Sequence, residues 1–168
     1  MNKKTRNLTM SAIFIALCVV SLYIASVWPT GQLGIAAFAS LFVAAAVIET
    51  GIGYGVSVFV VSSALCMLLI PNKIPPLLYV VFFGYYPVLK NIFERLGRVV
   101  LQWLFKLIVF NAALTLSLFL MKELFIGFTS LRFGFVVLYI AGNAVFAIFD
   151  YGYSKVVLFY KDRIYKRG

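Results

Sequence analysis

The chain has 168 residues, of which 64% are hydrophobic and 12% are charged, and its formal net charge is +10. Soluble domains are nearer half apolar and a quarter charged, so this composition excludes an ordinary soluble fold. A lipid bilayer is the environment that accepts so much apolar sequence, and the excess of basic residues then bears on membrane topology.

Six apolar stretches are long enough to cross a bilayer, which needs about 20 residues at a rise of about 1.5 Å each. In chain order they are Leu8 to Trp28, Gln32 to Ile48, Ile52 to Ile70, Ile74 to Leu89, Val99 to Met121, and Leu131 to about Tyr153. They take up nearly the whole chain, and we therefore predict an all-α integral membrane protein with one six-helix domain over residues 1–168. The first stretch is too long for a secretory signal and lacks a small-residue cleavage site, so it is expected to be a membrane helix.

Basic residues predict the topology, because Lys and Arg near the ends of spans stay on the cytoplasmic side. With the N-terminus inside, eleven of the fifteen basic residues are cytoplasmic: Lys3, Lys4, Arg6, Lys90, Arg95, Arg98, Lys155, Lys161, Arg163, Lys166 and Arg167. Only Lys73, Lys122 and Arg132 fall outside, and Lys106 lies within the fifth stretch. We expect a multi-pass protein of the cell membrane with both termini in the cytoplasm. Its basic inner face would attract anionic lipids, whereas residues so dispersed do not form a nucleic-acid surface.

Small residues mark places where membrane helices approach each other closely. The alanines of the second stretch and the glycines Gly51, Gly53 and Gly55 at the following turn are expected to serve internal packing. Ala12 and Ala16 form a small-xxx-small pair near the cytoplasmic end of the first stretch. This face is the best candidate for contact with another protein.

The fourth stretch combines aromatic side chains with a helix-breaking proline. Tyr79, Phe83, Tyr86 and Lys90 share one helical face. Pro87 lacks the N–H that would bond the carbonyl of Phe83, so a kink near Phe83 is expected. Such a helix either walls a ligand cavity, with tyrosine hydroxyls orienting a polar ligand, or packs against its neighbours and lipid. Lys90, at the inner end, is assigned to topology.

Polar residues within the last two stretches are costly in hydrocarbon and should face protein or a cavity. Asn111 and Asn143 lie roughly 18 Å from the inner and outer ends of their helices, so both are near mid-depth and could meet. Lys106, roughly 10 Å from the inner end of its helix, could reach Asp150. Either pair could bind a ligand or relay protons, or could hold helices together. The structural role is favoured for Lys106 with Asp150, and both roles stay open for the asparagines.

Catalytic groups are scarce in this sequence. It has no histidine and five acidic residues, and Glu49, Glu94, Glu123 and Asp162 lie at span ends, where they are expected to be solvated. No nucleophile-base pair, metal-ligand cluster or phosphate-binding loop can be assembled, and the two cysteines lie in apolar stretches as expected of small core residues. We predict no enzyme activity, no cofactor and no metal site, so active transport would require ATPase partners.

The N-terminal sequence KKTRNLTMSAIFIALCVVSLYIA has a basic start, a Thr, an Ala-x-x-x-Ala pair and a long first helix. It resembles the start of the substrate-binding S components of energy-coupling factor (ECF) transporters. The segment YIAGNAVFAIFD, residues 139–150, is similar to a Gly-Asn segment often present in their last helix. One departure is the first external connection, SVWPTGQLG at residues 26–34, which is shorter and less polar than the gating loop usual in the family.

The resemblance implies a function and partners. In that family the small-residue face of the first helix packs on a transmembrane coupling subunit whose ATPase partners drive transport. Ala12 and Ala16 would make that contact by position. A small vitamin-like substrate would bind toward the outer side, and the candidate contacts are Trp28, Gln32, Tyr79, Phe83, Asn111, Tyr139 and Asn143. The alternative is a non-transporting membrane scaffold or assembly protein that binds lipid or protein partners.

Overall fold

The computed structural model describes residues 2–28, 30–120 and 134–163 of the chain. Within these ranges it contains six helices that are long and apolar enough to cross a membrane, and no strand. They are α1 (Lys3–Val27), α2 (Gln32–Thr50), α3 (Ile52–Leu69), α4 (Ile74–Phe93), α5 (Val99–Leu120) and α6 (Gly134–Arg163). The prediction of an all-α protein with six spans is confirmed, and the length and composition of the helices make the chain a multi-pass membrane protein.

Four helices extend beyond the apolar stretches that predicted them. α2 ends at Thr50 instead of Ile48, and α4 ends at Phe93 instead of Leu89. α1 begins at Lys3 instead of Leu8, and α6 ends at Arg163 instead of about Tyr153. Apolarity marks only the part of a helix within hydrocarbon, whereas backbone hydrogen bonding continues into the charged ends, whose long side chains reach the interface. Several residues of the sequence analysis lie outside the described ranges: Met121, Lys122, Glu123, Leu131, Arg132, Lys166 and Arg167.

The helices group into two compact units. Unit 1 comprises the residues up to Ile92 and those from Val157 on. It therefore contains α1, α2, α3, nearly all of α4 and the C-terminal end of α6. Unit 2 takes Phe93–Val156, which includes α5 and the larger part of α6. The single domain over residues 1–168 stays a prediction.

Small side chains fill the interior of unit 1, where α1 contacts α2 and α3 and α2 contacts α3 and α4. The buried face of α1 repeats every three to four residues and consists of Ser11, Phe14, Cys18, Leu22 and Ala25. Opposite it, α2 buries Ala36, Ala39, Ser40, Ala44, Ala45 and Ala46. Small side chains let the backbones approach closely, which is the packing role predicted for the second stretch.

The connection between α2 and α3 is a single glycine. Gly51 has φ 99°, a positive value that favours glycine, and its N–H bonds the carbonyl of Val47 at 3.1 Å. One turn into α3, Gly55 lies against the Val47 side chain so closely that an added Cβ would overlap the valine Cγ2. The two helices therefore meet directly after the turn because position 55 has no side chain.

α4 is interrupted where the sequence predicted a kink. The segment Tyr79–Phe83 forms a π-helical turn, closed by the Gly84 N–H on the Tyr79 carbonyl at 2.7 Å, and regular helix resumes at Tyr86–Phe93. Pro87 cannot donate to the turn before it, so the hydrogen-bonding ladder changes register here. Gly84 contacts Phe59 of α3, whose ring would lie 2.7 Å from an added Cβ. The break thus also brings α4 close to α3.

Candidate functional site

Tyr79 is the centre of a buried polar network in unit 1. Its side chain has no exposed surface, and its hydroxyl lies 3.0 Å from Ser62 Oγ and donates to Cys18 Sγ at 3.7 Å. The Cys18 thiol donates to the carbonyl of Ala39 at 3.4 Å, and Ser62 donates to the carbonyl of Phe59 at 3.1 Å. These contacts join α1, α2, α3 and α4 in the core of unit 1.

The aromatic face of α4 points into the protein. Tyr79, Phe83, Tyr86 and Lys90, which the sequence placed on one face, are all buried. Of the two roles left open for this face, the burial favours packing, because a side chain without exposed surface offers no stacking plane to a ligand from outside. Trp28 is different, since 63% of it is exposed at the end of α1. Gln32 is half-buried at the start of α2.

Removing the Tyr79 hydroxyl tests this structural role. Tyr79→Phe is expected to lower the free energy of unfolding by about 0.5–1.5 kcal/mol, because Ser62 and Cys18 lose a buried partner. Tyr23→Phe is the matched control, because Tyr23 is exposed on α1. Denaturant unfolding in detergent micelles measures both variants. Equal stability of the two would show that the buried hydroxyl contributes nothing.

Lys90 is buried, although the sequence assigned it to the charged inner turn. Only 4% of the residue is exposed, and its Nζ lies 5.9 Å from the centroid of the Tyr86 ring. Position 90 continues the inward face of α4, and the long aliphatic stem follows that face inward. In the turn that follows, Arg95 and Arg98 are exposed.

Asn111 and Asn143 meet in unit 2. Each Nδ2 donates to the other residue's Oδ1 at 3.0 Å, so the two amides form a closed pair. The second N–H of Asn111 bonds the carbonyl of Leu107 at 2.8 Å, and that of Asn143 bonds the carbonyl of Tyr139 at 2.8 Å. The depths of the two residues predicted that their side chains could meet. Each amide donates once to the amide of the other helix and once to a carbonyl of its own helix.

Tyr139 pairs with a residue that the sequence analysis missed. Its hydroxyl lies 2.7 Å from Thr115 Oγ1, which also donates to the carbonyl of Asn111 at 2.8 Å. Thr115 is four residues after Asn111, and Tyr139 is four before Asn143, so both sit one turn along the same face. This four-residue spacing is the feature of the sequence that could have indicated Thr115.

Lys106 and Asp150 form a buried ion pair in unit 2. The Nζ to Oδ2 distance is 2.9 Å, and the two side chains are 6% and 5% exposed. Lys106 Nζ also lies 5.5 Å from the centroid of the Trp103 ring. The expectation that Lys106 could reach Asp150 is confirmed.

Glu49 is not simply solvated, as its position at a span end suggested. It is half-buried at the end of α2, and its carboxylate accepts a hydrogen bond from the Tyr160 hydroxyl at 2.7 Å. Both residues belong to unit 1. The sequence separation of 111 residues explains why no local pattern indicated this contact.

Ala12 and Ala16 are exposed on α1, on the side away from the buried face that contains Cys18 and Leu22. Apolar neighbours at the same helical spacing, Leu8 and Val20, are exposed with them. The small-xxx-small pair is therefore available for contact with lipid or another protein.

The predicted ligand contacts are divided between the units: Trp28, Gln32, Tyr79 and Phe83 belong to unit 1, and Asn111, Tyr139 and Asn143 belong to unit 2. Among residues 2–28, 30–120 and 134–163, no group of three or more His, Cys, Asp or Glu side chains could hold a metal ion. No protein-family model, curated protein or solved structure matches the chain.

Proposed function

We propose that the chain is the substrate-binding membrane subunit of an ECF-type uptake transporter. It captures a small vitamin-like molecule from the outer side and docks on a transmembrane coupling subunit that works with ATPase subunits. The observation that carries the proposal is the exposed Ala12 and Ala16 pair on α1. The similarity of the N-terminal sequence and of residues 139–150 to S components supports it.

The geometry of α1 suits docking. Its buried face is occupied by contacts within unit 1, whereas Leu8, Ala12, Ala16 and Val20 form an exposed stripe at four-residue spacing. The two alanines are the small residues of this stripe, between Leu8 and Val20, and helices in a bilayer associate through such small residues. A partner can therefore reach this stripe without disturbing the interior of unit 1.

The proposal places both termini in the cytoplasm of a cell-membrane protein. Exposed basic residues support this orientation: Lys3, Lys4, Arg6, Arg95, Arg98, Lys155 and Arg163. The same residues would bind the headgroups of anionic lipids, at about 1 kcal/mol per residue near the surface. The cytoplasmic end of α1 would then face the side on which ATPase subunits work.

We propose candidate substrate contacts within each unit by itself. Trp28 and Gln32 lie at the turn after α1, where an exposed indole can stack on a ligand from the outer side. Tyr139, Asn111 and Asn143 line half-buried positions between α5 and α6. Tyr79 and Phe83 are buried in unit 1, so we assign them to packing and not to the substrate.

Substituting the small pair tests the docking surface. Ala12→Trp and Ala16→Trp are expected to abolish co-purification with the coupling subunit, because a bulky ring keeps helices from approaching. The isolated variants should stay folded, since both positions are exposed. Val60→Trp, at an exposed position of α3, is the matched control and should assemble normally. Unchanged assembly of both alanine variants would contradict the docking surface.

A non-transporting scaffold is the second candidate, and the Asn111 and Asn143 pair favours it. The amide N–H groups of both residues are used within the α5–α6 pair, as expected of polar groups that only hold helices together. Mass spectrometry of the purified chain separates the two functions. A bound small molecule that Asn143→Leu removes supports the transporter subunit, and purification with protein or lipid alone supports the scaffold.

A further inference from the structure

The α5–α6 seam, by which we mean Asn111, Thr115, Tyr139 and Asn143, uses all its side-chain hydrogen-bond donors internally. The amide N–H groups go to backbone carbonyls and to the opposite amide. The Thr115 hydroxyl donates to the carbonyl of Asn111, so the Tyr139 hydroxyl is the donor in their mutual contact. The carbonyls of Leu107 and Tyr139 also fix the amide orientation, since a flipped amide would set oxygen against oxygen.

Only acceptors are left on these four side chains. Each amide oxygen accepts one hydrogen bond from its partner and keeps a second lone pair. The Tyr139 oxygen accepts none from the described residues. Thr115 is exposed, and Asn111, Tyr139 and Asn143 are half-buried. The seam therefore offers oxygens that accept hydrogen bonds and no group that donates one.

Lys106, the charged residue of α5 nearest the seam, does not make the electrostatic potential at the seam positive. Lys106 is five residues before Asn111, roughly 7.5 Å along the helix, and is neutralised by Asp150 at 2.9 Å. On α6, Lys155 is twelve residues beyond Asn143, roughly 18 Å along the axis. Among residues 99–120 and 134–163, the basic side chains nearest the seam along each helix are therefore Lys106, which is ion-paired, and Lys155.

We propose that the α5–α6 seam binds the protonated amino group of the substrate. An ammonium group has three donors and no acceptor, which complements a surface of acceptors. A carboxylate or phosphate group would place its own lone pairs next to the acceptor oxygens of the seam, and the two would repel each other. Hydrogen bonds from a charged donor are also the stronger kind, more so at low dielectric. This inference rests on the proposed function and names its substrate class as small organic amines.

Calorimetric titration of the full chain in phosphatidylcholine nanodiscs tests this assignment, because phosphatidylcholine has no N–H donor. The probes are phenethylamine and 3-phenylpropionate, which differ in the charged group, and empty nanodiscs are the blank. Saturable binding is expected for phenethylamine and not for 3-phenylpropionate. Thr115→Val and Tyr139→Phe should each weaken it roughly tenfold or more, as expected for loss of a hydrogen bond to a charged group. Thr9→Val and Tyr23→Phe, both on the exposed side of α1, should bind like the unmodified chain.

A second titration distinguishes a free small amine from the amino group of a lipid headgroup. Phosphatidylethanolamine added to the nanodiscs should not compete with phenethylamine if the substrate is a free small molecule. Competition that Thr115→Val abolishes would keep the ammonium assignment but overturn the substrate class in favour of a lipid headgroup. Thermal unfolding of each variant shows whether it is folded.

Three results would overturn the proposal: no saturable binding of phenethylamine, equal binding of 3-phenylpropionate, or amine binding that survives both seam substitutions in folded protein. The docking experiment separates this failure from that of the proposed function. Normal docking without amine binding would leave the transporter subunit with a different substrate class. Amine binding without docking would leave a binding protein that is not a transporter subunit.

Discussion

Replacing Lys106 by methionine is expected to lower the free energy of unfolding by about 3–5 kcal/mol, because it breaks the buried ion pair with Asp150. The pair is 2.9 Å apart and both side chains are almost fully buried. Methionine keeps the length of the aliphatic stem, so the loss reports on charge more than on packing. Unfolding of the purified protein in mixed micelles measures the change.

Two variants control for other causes. Lys155→Met removes an exposed lysine of the same helix pair and should change stability by less than about 0.5 kcal/mol. The double variant Lys106→Met with Asp150→Leu removes both charges and should recover most of the loss, since replacing a buried pair by apolar residues is often neutral. A double variant as unstable as Lys106→Met alone would contradict this account of the ion pair.

Gly55→Ala is expected to destabilise the protein by about 1–3 kcal/mol, the usual cost of overpacking a filled interior. The added methyl group would overlap the side chain of Val47, which is itself buried. α2 and α3 would have to separate just after the Gly51 turn.

Gly53→Ala, two residues earlier in α3, is the matched control. Nothing lies within 4 Å of a Cβ at this position, and an alanine in a helix is more favourable than a glycine by about 0.5–1 kcal/mol. The two substitutions should therefore change stability in opposite directions. Stabilisation by Gly55→Ala would mean that α2 and α3 do not meet closely there.

The six spans could be predicted because burial in lipid demands long apolar helices, a property that composition and length reveal directly. The break in α4 followed from Pro87, since a missing N–H has a fixed local effect. The contacts of Asn111 with Asn143 and of Lys106 with Asp150 could be predicted because the two residues of each pair lie at similar depths in the membrane. In adjacent antiparallel spans, polar groups at matching depth can satisfy each other.

Other features could not be predicted because they depend on which faces pack. The burial of Tyr79 and Lys90 requires knowing that this face of α4 turns inward, and an aromatic stripe is equally compatible with lipid or a cavity. The hydrogen bond from Tyr160 to Glu49 joins residues far apart in the sequence. Gly55 looks no different from Gly53 in the sequence, and only the position of Val47 distinguishes them.

The α1 surface and its partner can be tested together by photo-crosslinking in native membranes. p-Benzoylphenylalanine is introduced in place of Ala16, with a control chain carrying it in place of Val60, and the crosslinked proteins are identified by mass spectrometry. The proposed function predicts that position 16 crosslinks to a transmembrane coupling subunit that co-purifies with ATPase subunits, and that position 60 does not. Crosslinks from position 16 only to lipid, to a second copy of the chain or to proteins unrelated to transport would contradict it.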